Sequence, residues 1–126
     1  MFSHIVVGAD DVAASKAFYD AVLGVLGVQP GTLDARGRAL YMKDGLIFLV
    51  TPPINGAPAT HANGGTIGFS ASSPEQVDAW HAAGVTHGGT PIENPPGVRE
   101  NPLFKLYLAY LRDPAGNKLC ATHRMG

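Results

Sequence analysis

The sequence of 126 residues has little cysteine, little charge and no long apolar run. The single cysteine, Cys120, excludes an intrachain disulfide and any zinc motif built on a Cys-x-x-Cys pair. Nine Lys and Arg residues nearly balance ten Asp and Glu residues, so general binding to nucleic acid or to an anionic membrane lacks its electrostatic driving force. No apolar stretch reaches the length of a membrane span, and residues 1–4 lack the basic residues of a signal peptide. We therefore expect a cytoplasmic protein with no nucleic-acid or membrane partner.

What the chain does contain is apolar residues and turn formers. Hydrophobic residues make up 45% of the sequence and charged residues 15%, which is typical of a folded chain. The 16 glycines and 10 prolines predict many turns between short elements rather than a long helical bundle. Domains commonly contain about 100–150 residues, so we expect one domain, residues 1–126.

An internal repeat organises the chain. When the sequence is shifted along itself, residues 3–9 (SHIVVGA) fall on residues 65–71 (GTIGFSA), and Phe18 falls on Trp80. With a slightly larger offset, residues 45–51 fall on residues 116–122. Chance similarity is an alternative because Ala and Gly are abundant, but the shared order of elements favours a duplication. The two modules would be residues 1–57 and 58–126.

Each module is predicted to form a strand, a helix and three further strands. In the first module these are a strand at residues 2–8, a helix at 12–25 and strands at 28–33, 38–42 and 46–51. In the second they are a strand at residues 65–71, a helix from Ser73 to about Gly84 and strands at 85–91, 104–112 and 118–123. The remaining Pro-rich segments, residues 51–64 and 93–103, are predicted as long loops that either rim a pocket or simply connect elements.

These features together resemble the vicinal oxygen chelate superfamily of glyoxalases, bleomycin-resistance proteins and extradiol dioxygenases. The resemblance rests on the duplicated βαβββ unit, on His4 in the first strand, on Ala17-Phe18-Tyr19 in the first helix and on the turn Asp113-Pro114-Ala115-Gly116-Asn117. Residues 1–4 and 58–64 also match small bacterial glyoxalase-family proteins. The resemblance implies an α+β fold, with two tandem βαβββ modules that form a curved, cup-like mixed β-sheet and helices packed outside it. It also implies a homodimer.

In the metal-dependent members of this superfamily, four positions on the first and last strands of the modules hold a divalent ion, such as Zn, Ni, Fe or Mn. The ion acts as a Lewis acid towards an oxygenated substrate. The corresponding positions here are His4, Leu49, Thr66 and Cys120. Because Leu49 cannot bind a metal and Thr66 is a poor ligand, only His4 and Cys120 are plausible ligands. The resemblance therefore implies an incomplete metal site, and glyoxalase I activity is not expected.

The alternation of side chains along the strands predicts which residues line a ligand pocket. The predicted pocket residues are His4, Val6, Leu49, Thr66, Lys105, Tyr107, Cys120 and Arg99. His4, Tyr107 and Cys120 are the candidate catalytic groups, and each also has a purely structural interpretation as a hydrogen-bonded, packed or inert buried side chain. Lys105 or Arg99 would bind an anionic substrate group, or would be solvated.

Two functions are compatible with these residues. The first is an enzyme of the lyase, isomerase or dioxygenase type that acts on an oxygenated small molecule. The second is a metal-free protein that binds or sequesters a small-molecule ligand, as bleomycin-resistance proteins do.

Overall fold

Ten elements follow one another in the computed structural model, which describes residues 1–126. In chain order they are β1 (His4–Gly8), α1 (Val12–Val25), β2 (Thr32–Leu33), β3 (Ala39–Lys43), β4 (Leu46–Thr51), β5 (Ile67–Ser70), α2 (Pro74–Thr86), β6 (Thr90–Glu100), β7 (Lys105–Arg112) and β8 (Lys118–Arg124). Each half of the chain therefore has the predicted order of one strand, one helix and three strands.

The eight strands form two open four-stranded sheets. Sheet A has the order β1-β4-β3-β2, and sheet B has the equivalent order β5-β8-β7-β6. In each sheet the first strand of the module pairs in parallel with the last, and Ile5 opposite Phe48 in sheet A corresponds to Ile67 opposite Leu119 in sheet B. The predicted α+β fold of two tandem βαβββ modules is confirmed. The mixed β-structure is divided between two sheets and does not close into a barrel.

Both helices begin directly after a residue whose side chain caps the first turn, Asp11 for α1 and Ser73 for α2. The Asp11 side chain accepts a hydrogen bond from the Ala14 backbone N–H, and the Ser73 hydroxyl accepts one from the Gln76 backbone N–H. The Gln76 side chain in turn donates to the carbonyl oxygen of Val25, the last residue of α1. The start of α2 is therefore tied to the end of α1, which fixes the two modules against each other.

One hydrophobic core joins the two modules. Its 17 buried residues come from both helices and both sheets and include Phe18 and Trp80, which the repeat relates to each other. The rings of Tyr19 and Phe48 lie 4.9 Å apart, and those of Phe48 and Phe69 lie 5.6 Å apart across the boundary between the sheets. Burying one such aromatic side chain stabilises a fold by roughly 1.5–3 kcal/mol. The contact between Phe48 and Phe69 exists only when the two modules pack together.

The turn at residues 113–117, which we call the Asp113 turn, also links the modules. Asp113 is 3% exposed, and its carboxylate accepts a hydrogen bond of 2.6 Å from the hydroxyl of Tyr19 in the first module. The Asn117 side-chain amide donates to the same carboxylate and to the carbonyl oxygen of Gly8, at the end of β1. This part of the superfamily resemblance therefore has a structural role, because it ties β7 and β8 to the first module.

The predicted loop at residues 93–103 is wrong, because β6 extends through most of it. Pro95 and Pro96 are accommodated because β6 is an edge strand with an irregularity in its pairing between Ile92 and Gly97. The predicted strand at residues 85–91 begins later than expected. The helix α2 continues to Thr86, beyond its predicted end, and β6 begins at Thr90.

The predicted strand at residues 28–33 is reduced to the two residues of β2. The backbone N–H of Gly31 donates to the Asp20 side chain of α1 at 2.8 Å and is therefore not free for sheet pairing. Gly31 also lies against the Tyr41 ring, where an added Cβ would be only 2.6 Å from the nearest ring atom.

Candidate functional site

The four positions of the superfamily's metal ligands lie on two different sheets. His4 and Leu49 are on sheet A, with Val6 beside His4 on the same outer face, away from the helices. Cys120 is on sheet B, and Thr66 directly precedes β5 in that sheet. Since β1 and β5 are edge strands of separate sheets with no backbone pairing between them, the two pairs are not brought together by sheet hydrogen bonds.

Tyr107 does not share a face with Cys120, contrary to the prediction from alternation. Its hydroxyl donates to Asp78 of α2 at 2.8 Å, so the side chain faces the helix. The residue opposite Cys120 in the β7–β8 pairing is Tyr110, and directly opposed residues share a face of a sheet. Because β7 carries apolar residues on both faces, its sequence alone does not reveal which face is inside. The pairing with β8 decides it.

Cys120 lies in an enclosed position on the outer face of sheet B. It is 5% exposed, and its Sγ is 3.0 Å from the Thr122 hydroxyl. Burial raises the pKa of the Cys120 thiol, and the hydrogen bonds that it shares with Thr122 and Tyr110 only partly oppose that effect. A thiol with a raised pKa remains protonated at neutral pH, which makes it a poor nucleophile and a poor metal ligand.

The two predicted basic pocket residues lie elsewhere. Lys105 is exposed at the start of β7. Arg99 on β6 donates to the backbone carbonyl oxygens of Asn94 and Pro95, at 3.1 and 3.0 Å, and thereby supports the irregular part of that strand. Neither Lys105 nor Arg99 lines either of the two cavities described below.

A cavity of about 460 Å³, which we call the central cleft, lies between the modules. Its walls are β1, the end of α1, the β3–β4 hairpin and β5, and 12 of its 18 lining residues are hydrophobic. The apolar walls come from Ile5, Leu23, Phe48, Ile67 and Phe69 among others. This volume and this lining are typical of small-molecule pockets, which range over about 300–1,000 Å³.

The broken symmetry of the repeat explains why this cleft is open. Asn117, directly before β8, links the second module to the end of β1, because its side chain donates to the carbonyl oxygen of Gly8. The repeat relates Asn117 to Leu46 and Gly8 to Ser70. Leu46 has no side-chain donor, so the equivalent hydrogen bond cannot form, and both Leu46 and Ser70 line the central cleft. The cleft therefore occupies the place where the second link between the modules is missing.

The polar groups of the central cleft are few. His4 and Thr66 both line it, and the Nδ1 of His4 is hydrogen-bonded to the Ser3 hydroxyl at 2.7 Å. The Nε2 of His4 has no protein partner. Lys43 donates to the carbonyl oxygen of Leu26 at the end of α1 and so lies across one wall of the cleft.

The donor set does not fit a divalent metal ion. Leu49 offers only hydrocarbon, Thr66 offers a neutral hydroxyl, and Cys120 is a protonated thiol that does not line the central cleft. No three His, Cys, Asp or Glu side chains converge anywhere in the structure. These side chains therefore do not form a binding site for a divalent metal ion.

A second cavity, which we call the polar recess, lies at one end of the outer face of sheet B and also measures about 460 Å³. Its polar lining comprises Ser70, Ser72, Thr122, His123 and Arg124, and its apolar lining includes Phe104 and Leu106. Arg124 is not among the predicted pocket residues, although continuing the alternation of Cys120 and Thr122 by one further step places it on the same face.

The comparisons with known proteins agree with this architecture. The sequence model of the Glyoxalase/Bleomycin resistance protein/Dioxygenase superfamily matches residues 1–121. The duplicated βαβββ architecture and this match define the class of protein, and the chain belongs to that superfamily. A search of curated proteins finds no match. Neither α1 nor α2 has the length and hydrophobicity required of a membrane-spanning helix.

Several solved structures are similar over nearly the whole chain. A glyoxalase/bleomycin resistance protein from Albidiferax ferrireducens T118 is 58% identical, with a TM-score of 0.95, and the match covers 98% of this chain and 99% of that one. A lactoylglutathione lyase from Agrobacterium tumefaciens is 26% identical, with a TM-score of 0.66 and coverage of 98% and 92%. A glyoxalase/bleomycin resistance protein/dioxygenase family enzyme from Burkholderia phytofirmans PsJN, 18% identical with a TM-score of 0.73 and 98% coverage of both chains, shares the fold.

Proposed function

We propose that this chain, folded as one domain over residues 1–126, binds a small and largely apolar molecule in the central cleft without a metal ion. The main support for this proposal is the central cleft, which has a volume of about 460 Å³, lies between the modules and has mainly hydrophobic walls. Transfer of apolar ligand surface into such a pocket is favourable by roughly 25 cal/mol per Å². The replacement of a family metal ligand by Leu49 supports binding rather than metal-dependent catalysis.

A glycine in the wall of the cleft allows a direct test. Gly68 lines the central cleft, and a Cβ added there would meet no atom within 4 Å, so Gly68→Leu would place its side chain in open space. A Cβ at Gly24 on α1 would also meet no atom within 4 Å, but Gly24 does not line the cleft. Gly24→Leu is therefore the matched control.

The probe is the neutral fluorophore N-phenylnaphthylamine, whose emission rises in an apolar environment. We expect Gly68→Leu to weaken its binding at least about tenfold, which corresponds to about 1.4 kcal/mol, and Gly24→Leu to leave it unchanged. Circular dichroism checks that both variants remain folded. Unchanged binding by a folded Gly68→Leu protein would contradict the proposal.

A catalytic alternative rests on His4. His4 lines the central cleft, its Nδ1 is hydrogen-bonded to Ser3 and its Nε2 has no protein partner, so Nε2 is available to exchange a proton with a bound ligand. The reaction would be of the lyase, isomerase or dioxygenase-like class. In a screen of oxygenated small molecules, turnover by the wild type that is lost in His4→Ala, with N-phenylnaphthylamine binding retained, would favour this alternative.

We also propose a homodimer that covers the outer face of sheet A. This face carries apolar side chains in place of the polar ones expected on a solvated sheet face, with Val6 47% exposed and Met42 61% exposed. Val6→Lys combined with Met42→Lys is expected to shift the mass measured by sedimentation from dimer to monomer. Val85→Lys on α2 is the control, because Val85 is exposed to nearly the same extent, 46%. A wild type that sediments as a monomer would contradict the dimer.

A further inference from the structure

We infer that the ligand is a small amphipathic anion, whose apolar body occupies the central cleft and whose anionic group binds Arg124 in the polar recess. The inference rests on the proposed function, since it names the class of molecule that the central cleft takes. Carboxylate, sulfonate and phosphate groups share the required chemistry, because each is an anion that accepts several hydrogen bonds.

The polar recess has the composition of an anion site. Arg124, Thr122 and Ser70 supply a guanidinium and two hydroxyls, and no acidic residue lines the recess. The side chains of these three residues lie on the same outer face of sheet B, because Ser70 pairs with Thr122 and Arg124 is two residues further along the same strand. Hydroxyls and a guanidinium are all hydrogen-bond donors to an anion.

Arg124 has no acceptor within the protein. Its side chain forms no salt bridge and no hydrogen bond, whereas the side chain of Arg38 is paired with Asp34 and that of Arg112 donates to a backbone carbonyl oxygen. Its guanidinium lies 4.9 Å from the centre of the Phe104 ring, which holds it at the recess without using its hydrogen-bond donors. The five N–H groups of Arg124 therefore remain available to a ligand.

The polar recess and the central cleft adjoin at Ser70, which lines both. Neighbouring strands lie about 4.8 Å apart and a strand advances about 3.3 Å per residue, so the Cα atoms of Ser70 and Arg124 are about 8 Å apart. Both residues also line the polar recess, so an anionic group bound there lies close to both of them. One molecule can therefore place an apolar body between the modules and an anionic group beside Arg124.

The test compares two probes that share the same rings. Anilinonaphthalene sulfonate carries an anionic group that the neutral N-phenylnaphthylamine lacks. Arg124→Ala is expected to weaken sulfonate binding about tenfold and to leave binding of the neutral probe unchanged. Arg36→Ala is the control, because Arg36 lies in an exposed turn, has no salt bridge and lines neither cavity.

The outcomes separate this inference from the function on which it rests. If Gly68→Leu abolishes binding of both probes but Arg124→Ala weakens neither, the central cleft binds ligands and the assignment of Arg124 is wrong. If Gly68→Leu affects neither probe, both proposals fail. Displacement of the sulfonate probe by decanoate, by decyl phosphate and by the uncharged decanol identifies the preferred group. Equal displacement by all three would overturn the anionic class.

Discussion

Replacing Tyr19 with phenylalanine is expected to weaken the link between the two modules. The substitution keeps the ring that packs against Phe48 and removes only the hydroxyl, which donates to the buried carboxylate of Asp113 at 2.6 Å. The hydrogen bond joins α1 of the first module to the Asp113 turn of the second. Its loss therefore tests whether that turn holds the modules together.

The size of the effect follows from what remains around Asp113. A hydrogen bond to a charged group contributes about 1.5–3 kcal/mol. The oxygen that loses Tyr19 still accepts from the Asn117 side chain, and the other oxygen still accepts from two backbone N–H groups. Since the carboxylate keeps three donors, we expect a loss near the lower end of that range, about 1.5–2 kcal/mol. For a chain of this length that is a decrease of roughly 6–8 °C in the unfolding temperature.

Thermal and urea unfolding of wild type and Tyr19→Phe, followed by circular dichroism, measure this difference. Tyr107→Phe is the matched control, because it also removes a tyrosine–aspartate hydrogen bond, to Asp78, but one at the protein surface. We expect a clearly smaller loss of stability for the control. The structural role of the Asp113 turn would be refuted if Tyr19→Phe unfolded at the wild-type temperature. It would also be refuted if Tyr107→Phe lost as much stability as Tyr19→Phe.

The same pair of proteins should differ in their response to alkaline pH. Burial, followed by the charge of Asp113, raises the pKa of Tyr19 well above its ordinary value. A group whose pKa is raised by folding contributes stability that is complete below its unfolded pKa, about 10 for tyrosine, and is lost as the pH rises above it. Tyr19→Phe lacks this contribution. The difference in stability between the two proteins is therefore expected to narrow above pH 10, and a constant difference up to pH 11 would contradict this.

Further outcomes follow from particular environments in the structure. Gly24→Ala on α1 should raise the free energy of unfolding by up to about 1 kcal/mol, since its Cβ meets no atom within 4 Å. Gly84→Ala on α2 should instead lower it by about 1–3 kcal/mol, because its Cβ would overlap Leu111, and urea unfolding distinguishes the two. Cys120 should react slowly with a thiol reagent at pH 7 and faster as the pH rises towards its raised pKa, whereas rapid reaction of the folded protein at pH 7 would show a thiolate.

Much of the fold could be predicted from the sequence because the same order of strands and helix occurs in both halves of the repeat. The match of residues 3–9 to residues 65–71 predicted equivalent first strands, and the pairing of Ile5 with Phe48 recurs as that of Ile67 with Leu119. The helix starts were predictable because caps are local signals, as at Ser73-Pro74. By contrast, the prolines of residues 93–103 predict a loop because proline disfavours a central strand. The strand β6 forms there because it lies at the edge of sheet B.

The candidate site was less predictable, because it depends on contacts between distant residues. Tyr107 and Tyr110 lie on opposite faces of β7, and only the pairing with β8 shows that Tyr110 accompanies Cys120. His4 and Thr66 were identified from the repeat, and both line the central cleft. The polar recess is not predictable in the same way, because Phe104 precedes β7 and Ser70 ends β5, and no local pattern relates them to Arg124.

The sequence by itself determined the α+β class, the duplicated modules, the helix caps and the absence of a full set of metal-ligating residues. These depend on residue type, short-range spacing and the repeat, all of which can be read along the chain. Only the tertiary structure decided that the strands form two sheets. It also decided that Asn117 joins the modules by a hydrogen bond to Gly8, whereas Leu46 at the symmetry-related position forms no such bond and lines the central cleft. The cleft depends on the presence of a hydrogen bond at one end and its absence at the symmetry-related end, and such a difference exists only after the two modules have packed together.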